Sequence, residues 1–155
     1  MPDLVTHTFA AWLLARPGRW RQVRLPFFLG AILPDIISRP IYILNPRWQG
    51  YTVALHTPLF ALLCGLLLAE GMAPALRRGA RLALSAGILL HFALDLMQCH
   101  LGAGYYWFFP FSWKSFELGW IWPEATVCWI PLWLGTMAVV EAVLWWRRTR
   151  RLSAS

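Results

Sequence analysis

Charged residues are scarce in this chain. They make up 14% of its 155 residues, against roughly 25% in an ordinary soluble domain. Acidic residues number only seven, and lysine occurs once. The three cysteines show no CxxC spacing, so a disulfide framework is not predicted. Internal repeats and low-complexity stretches are also lacking. With so little charge, the sequence is not typical of a soluble domain.

Hydrophobic residues, by contrast, make up 59% of the chain, which contains 11 tryptophans and nine phenylalanines. Aromatic rings collect at the headgroup depth of a bilayer. A soluble domain of this length cannot hide several apolar runs of about 20 residues. The sequence therefore predicts one all-α integral membrane domain over residues 1–155.

The net charge of +7 comes from basic residues that fall mainly in three tight clusters. The clusters run from Arg16 to Arg24, from Arg77 to Arg81 and from Arg147 to Arg151. Each lies between or after apolar segments, as cytoplasmic loops and tails do under the positive-inside rule. We therefore predict a multi-pass membrane protein whose clusters contact anionic headgroups, and no nucleic-acid partner.

Apolar segments and prolines predict a small polytopic protein with about three full spans and a short, proline-kinked N-terminal helical hairpin. The first arm, Leu4 to Ala15, is too short to cross about 30 Å of hydrocarbon. The second arm, Leu25 to Leu44, contains Pro26, Pro34 and Pro40, which should kink or break it. The predicted full spans are Thr52 to Ala69, Leu82 to Met97 and Pro123 to about Trp146.

Two connecting segments complete this topology. Leu44 to Gly50 is predicted to be a loop, and the aromatic run Tyr105 to Trp113 is predicted to lie at the membrane interface. If the basic clusters face the cytoplasm, the N-terminus starts outside. The alternating direction of the segments then places all three clusters on the cytoplasmic side.

The pair His91 and Asp95 is the strongest local signal for a site. The two residues are four apart in an apolar run, so a helix stacks them on one face, roughly 6 Å apart. An imidazole and a carboxylate in that arrangement can bind one metal ion together. Titratable groups are costly in a bilayer and usually mark a functional site.

Three other segments carry a polar residue at a similar depth. Together with His91 this makes four residues. At about 1.5 Å per helical residue, each lies roughly 14 to 21 Å from the nearest charged end of its segment, and Asp95 lies about one turn further. The four are His7, Asp35, His56 and His91. Five metal-capable side chains are thus predicted to converge in the outer, extracytoplasmic half of the membrane. Three imidazoles and two carboxylates suit Zn²⁺ or a pair of divalent ions.

Other residues could extend the predicted metal site, and its five central residues also have structural interpretations. His100, Glu117 and Glu124 could complete a second ion site or act in proton transfer. Each of the five central residues also has a structural interpretation as a packed histidine, a helix cap or a polar pair that holds helices together.

Five short motifs, taken in order, resemble the YdjM-like family of bacterial inner-membrane, metal-dependent hydrolases. They are Thr6-His7, Leu33-Pro34-Asp35, His56-Thr57, His91-Phe-Ala-Leu-Asp95 and Pro110-Phe-Ser-Trp-Lys114. The resemblance implies a location in the bacterial inner membrane and dependence on a metal.

The ligand order is also similar to that of zinc-dependent phospholipase C, a helical enzyme with a zinc cluster. This similarity implies His7, Asp35, His56, His91 and Asp95 as ligands, with His100 and Glu117 as further ones. The chain departs from that pattern at its N-terminus and in its shorter loops, so one or two ions are expected.

We therefore expect a membrane-embedded metallohydrolase acting on a lipid phosphoester. Asp35 or Asp95 could bridge ions or orient water, and Lys114 could clamp a phosphate or merely extend to the interface. The alternatives are a non-catalytic metal- or haem-binding membrane protein, an ion-passing subunit, and a scaffold whose polar residues only join helices. The oligomeric state is left open.

Overall fold

A computed structural model describes residues 4–16, 22–99 and 104–152 of the chain. Within these ranges the structure is helical and contains no β-strand, which confirms the all-α prediction. A 3-10 turn, Pro46–Trp48, joins the second and third helices. The helices are α1 (Leu4–Leu14), α2 (Arg24–Leu44), α3 (Gln49–Leu55), α4 (Pro58–Glu70), α5 (Pro74–Met97) and α6 (Pro123–Leu152).

Two helices of the described part are long and apolar enough to cross a membrane, namely α5 and the Glu124–Arg147 portion of α6. The prediction of three full spans is therefore corrected to two. The expected span Thr52 to Ala69 is interrupted, and α4, which forms its second part, is only 13 residues long. Such a helix is about 20 Å long and is shorter than the hydrocarbon layer.

The interruption lies at His56 and Thr57, between α3 and α4. A proline disfavours helical geometry in the residue before it, and Thr57, which precedes Pro58, is extended with φ −119° and ψ 150°. The Thr57 hydroxyl donates to the Ala54 carbonyl oxygen at 2.9 Å. Both His56 and Thr57 are buried, so the break serves to turn an imidazole inward from the end of a helix.

The second helix differs from the prediction in the opposite sense, because α2 is not broken. It runs continuously through Pro34 and Pro40, while Pro26 falls in its first turn, where a missing N–H costs nothing. The segment expected as a loop, from Leu44 to Gly50, instead forms the 3-10 turn and the start of α3.

Helices α2 and α5 approach each other closely through glycines. A Cβ on Gly87 would overlap the Phe27 carbonyl oxygen and lie 2.7 Å from the Ala31 nitrogen, and a Cβ on Gly30 would overlap the Leu84 carbonyl oxygen. Small residues allow this backbone approach between membrane helices. The contact sets the distance between the two helices that carry most of the polar residues.

The helix ends that carry basic residues meet at one end of the bundle. The Arg24 guanidinium donates to the Ala15 carbonyl oxygen at 3.2 Å, joining the end of α1 to the start of α2. Arg81, near the start of α5, pairs with Glu70 at the end of α4. We call this the basic end, and the opposite end is where α5 finishes.

The last helix contacts the first through a polar pair and stacked rings. Trp12 Nε1 donates to Glu141 Oε1 at 2.9 Å, and the Phe9 and Trp133 rings stack with centroids 4.5 Å apart. Helix α6 therefore runs parallel to α1, and its Arg147 extends beyond Arg16 at the basic end.

Candidate metal centre

Five side chains that the sequence places far apart form one buried group. They come from α1, α2, the α3–α4 break and α5, and each is at most 3% exposed. The members are His7, Asp35, His56, His91 and Asp95. The predicted convergence of these residues is therefore what the structure shows.

The ring of His91 is fixed by the backbone of α2. Its Nδ1 lies 2.8 Å from the Ala31 carbonyl oxygen. Since a carbonyl only accepts, Nδ1 carries the proton, and in the neutral ring Nε2 is a bare lone pair. The close α2–α5 packing at Gly87 brings this carbonyl within reach.

The ring of His56 is fixed in the same sense by Ser38. The Ser38 hydroxyl donates to the Pro34 carbonyl oxygen at 2.8 Å, so its oxygen accepts from His56 Nδ1 at 3.1 Å. This leaves Nε2 of the neutral His56 ring without a proton. Ser38 thus sets the orientation of a histidine that lies in a break between helices.

Both bare Nε2 atoms face the same carboxylate oxygen. Asp95 Oδ2 lies 2.8 Å from His56 Nε2 and 3.2 Å from His91 Nε2, and the two nitrogens are 3.3 Å apart. Three lone pairs in such proximity repel one another unless a positive charge, a proton or a metal ion, lies among them. With these tautomers the arrangement can hold a cation.

A second face of the group is formed by His7 and Asp35. The His7 ring stacks on the His91 ring with centroids 4.0 Å apart, and its Nε2 lies 3.4 Å from Asp95 Oδ1. Asp35 Oδ2 pairs with the Arg39 guanidinium at 2.7 Å, one helical turn along α2. Within the described part of the chain, neither His7 nitrogen has a hydrogen-bond partner, although both are buried, which is unusual for buried polar atoms.

Tyr105 closes the group on the side away from the basic end. Its ring stacks on the His56 ring with centroids 5.4 Å apart, and only 4% of the residue is exposed. Burial raises the pKa of the phenol above its usual range, and the neighbouring Asp95 carboxylate raises it further. The hydroxyl thus keeps its proton at neutral pH.

The donor atoms fit a divalent ion such as zinc. His56, His91 and Asp95 each offer a ligand atom within 4.8 Å of the others, and so do His7, Asp35 and His91. Nitrogen and oxygen ligands of tetrahedral zinc lie roughly 3.3 to 3.6 Å from one another. The two nitrogens are 3.3 Å apart, at the lower limit of this range, while their distances of 2.8 and 3.2 Å to Asp95 Oδ2 are shorter.

Those of the remaining predicted site residues that the structure describes are not part of this buried group. His100 lies outside the described residues. Glu117 is half-buried and lies beside Gly104, since a Cβ added to that glycine would be 3.4 Å from Glu117 Oε2. Glu124 and Lys114 are exposed, in the first turn of α6 and in the segment before it.

Three residues that contact the group were missed by the sequence analysis as parts of the site. Arg39 and Ser38 follow Asp35 and Pro34 by one helical turn, so a helical wheel continued through Pro34 would have found them. Tyr105 had a weaker signal, because it was noted only as one ring of an aromatic run.

Replacing Ser38 by alanine is expected to weaken metal binding by about 10- to 100-fold, because the His56 ring loses the acceptor that orients it. The measurement is competition with a chelator of known affinity. Thr136→Ala is the matched control, since the Thr136 hydroxyl also donates to the carbonyl four residues earlier, Leu132, but in α6. Equal affinities of the two variants would contradict the orienting role of Ser38.

Together these features define a class, a helical membrane protein with a buried histidine–aspartate cluster inside its bundle. Residues 3–154 match the model of the YdjM inner membrane protein family, and the chain belongs to that family. The predicted membership of the YdjM-like family is confirmed. No curated protein and no solved structure gives a match.

Proposed function

We propose that the protein is a multi-pass metallohydrolase of the bacterial inner membrane that acts on a lipid phosphoester. Its cofactor is one or two divalent ions, zinc by the chemistry of the ligands, held by His7, Asp35, His56, His91 and Asp95. The site lies in the extracytoplasmic half of the membrane, since it is remote from the basic end.

The observation that carries this proposal is the convergence of His56 Nε2 and His91 Nε2 on Asp95 Oδ2. Metal-binding histidines commonly donate their other ring nitrogen to a carbonyl or another acceptor, which fixes the tautomer. Both rings have such a partner, Ala31 O and Ser38 Oγ. A polar pair that merely joins two helices does not need three lone pairs directed at one another.

A bound divalent ion supplies Lewis-acid chemistry, because its charge polarises a phosphoryl oxygen and makes water more acidic. The residues around it have separate tasks. Asp35, with Oδ2 held by Arg39, presents Oδ1 to the cluster and can orient water or take up a proton. The Tyr105 hydroxyl, which keeps its proton, can donate to a substrate oxygen.

Charge supports an anionic substrate. With both carboxylates ionised, Asp35 and Asp95 outweigh Arg39 by one negative charge, and a divalent ion reverses the balance to one positive charge. A site of this sign in a low-dielectric interior attracts an anion such as a phosphoester. Lys114, exposed in the segment between α5 and α6, remains the proposed clamp for the phosphate.

The test is release of phosphate or headgroup from a panel of bilayer phospholipids by the protein in lipid nanodiscs. We expect metal-dependent release that a chelator abolishes and added zinc restores. His91→Ala should reduce the rate by about 10³-fold or more, because a metal ion supplies several kcal/mol of transition-state stabilisation. Glu70→Gln, a change at the basic end, should leave the rate unchanged.

One observation favours a second candidate, a non-catalytic metal site. All five side chains are nearly inaccessible, and structural zinc sites are closed whereas catalytic sites keep an open position. A metal-loaded protein that releases nothing from any lipid of the panel would support this alternative. Haem is not favoured, because the His7 and His91 rings stack directly and leave no layer for a macrocycle between them.

A further inference from the structure

The segment that connects α5 to α6 forms a compact non-helical structure, which we call the aromatic cap and define as residues 104–122. Its second half is bonded to the end of α5. Leu118 N donates to Leu96 O, and Trp120 N donates to Met97 O, both at 2.8 Å. Trp107 Nε1 donates to Phe116 O at 2.6 Å and closes the intervening stretch on itself. The cap is therefore built onto the end of the α5 span.

The inner side of the aromatic cap packs on the buried group. Tyr105 lies against His56, and Trp107 meets the Phe92 ring edge-on with centroids 5.9 Å apart. Phe92 in turn contacts the rings of His56 and His91. The rings of Tyr105 and Trp107 therefore cover the buried group on this side.

The outer side of the aromatic cap is also aromatic, but it is exposed. Between Phe108 and Phe116, four rings are 59% to 87% exposed, and the Lys114 side chain is exposed among them. The four are Phe108, Phe111, Trp113 and Phe116. A protein surface in water rarely presents so dense an apolar patch without a partner.

The position of the cap identifies this partner. The second half of the cap is bonded to Leu96 and Met97, where the α5 span finishes, and the same half leads directly into Pro123, where α6 begins. A segment tied to the ends of two membrane-capable helices lies at the boundary between hydrocarbon and water. Tryptophan rings favour that boundary, phenylalanine rings enter the acyl region beside it, and a lysine extends towards phosphates.

We propose that the outer side of the aromatic cap is a docking surface for the phospholipid leaflet, with the ring of Phe111 inserted below the headgroups and Lys114 among the phosphates. The same short segment then rests on lipid with one side and closes the buried group with the other. This docking depends on the exposed rings and not on the reaction at the site, so it can hold even if the protein is not a hydrolase.

The test measures the depth of Phe111 directly. Phe111→Cys is combined with Cys64→Ser, Cys99→Ser and Cys128→Ser, labelled with a nitroxide and placed in vesicles of phosphatidylethanolamine and phosphatidylglycerol. The readout is the collision rate of the label with oxygen, which concentrates in lipid, relative to a water-soluble nickel complex. Val139→Cys, 63% exposed in the middle of α6, and Ala73→Cys, in the turn before α5, provide the references.

We expect the oxygen-to-nickel ratio at position 111 to be several-fold above that at Ala73 and below that at Val139. Two results would overturn the proposal. One is a ratio no higher than at Ala73, and the other is an immobilised label with spin–spin broadening, which would mean that a second copy of the chain covers the cap. Phe108→Cys, labelled in the same way, repeats the measurement if the first variant does not fold.

Discussion

Asp95→Asn is expected to remove bound metal almost completely, from at least about one ion per chain to below about 0.1. Asp95 is the centre of the cluster, because Oδ2 contacts His56 and His91 while Oδ1 faces His7. The asparagine keeps the shape of the side chain but removes its charge. It also places an N–H₂ group, which donates, against atoms that need to bind a cation.

The measurement is elemental analysis of protein purified in detergent without added metal, beside the wild type and Glu70→Gln. Glu70 is a matched control, because it too is an acid paired with basic side chains, Arg77 and Arg81, but at the other end of the bundle. We expect Glu70→Gln to retain the metal content of the wild type.

A wild-type protein without stoichiometric metal would contradict the metal assignment, and so would an Asp95→Asn protein that keeps its ion. In the first case the cation between the imidazoles and the carboxylate would be a proton, and the buried group would be a polar connection between helices. The same samples should be assayed for helicity, so that loss of metal is not confused with loss of fold.

The convergence of the five residues could be predicted because it depends on regular geometry. A helix places His91 and Asp95 on one face whatever surrounds them. A constant rise per residue also converts the distance from a basic cluster into depth, which is how His7 and Asp35 were placed in the same layer. Such arguments need only the sequence and a membrane of known thickness.

The backbone at the prolines could not be predicted in the same way. Pro34 and Pro58 carry the same local signal, yet α2 continues through Pro34 while the chain breaks before Pro58. At Pro34 the Ser38 hydroxyl donates to the proline carbonyl, and α5 packs closely against α2 at Gly30 and Gly87. Which proline interrupts a helix is thus decided by packing between elements, which a single sequence does not reveal.

Partners from other elements were equally beyond the sequence. The proton on His91 Nδ1 is fixed by a carbonyl 60 residues away, that of Ala31. The position of Tyr105 over His56 depends on how the aromatic cap folds back, and no periodicity describes an irregular segment. The sequence could therefore indicate which residues meet, while the tautomers and the closure of the site required the structure.

Gly87→Ala is expected to destabilise the protein by about 1–3 kcal/mol or more, because the new methyl group meets backbone that cannot rotate away. A Cβ at this position would overlap the Phe27 carbonyl oxygen and lie 2.7 Å from the Ala31 nitrogen. Separating α2 from α5 also withdraws the Ala31 carbonyl from His91 Nδ1. Thermal unfolding in detergent should show a lower midpoint, accompanied by weaker metal binding.

Gly135→Ala provides the control that separates crowding from any general effect of replacing a glycine. Gly135 is also inside a long apolar helix, α6, but a Cβ there meets nothing within 4 Å. Alanine favours a helix over glycine by up to about 1 kcal/mol, so this variant should unfold at the same temperature or slightly higher. If both variants unfold alike, the glycine contact does not set the α2–α5 distance, and the orientation of His91 must be maintained by other contacts.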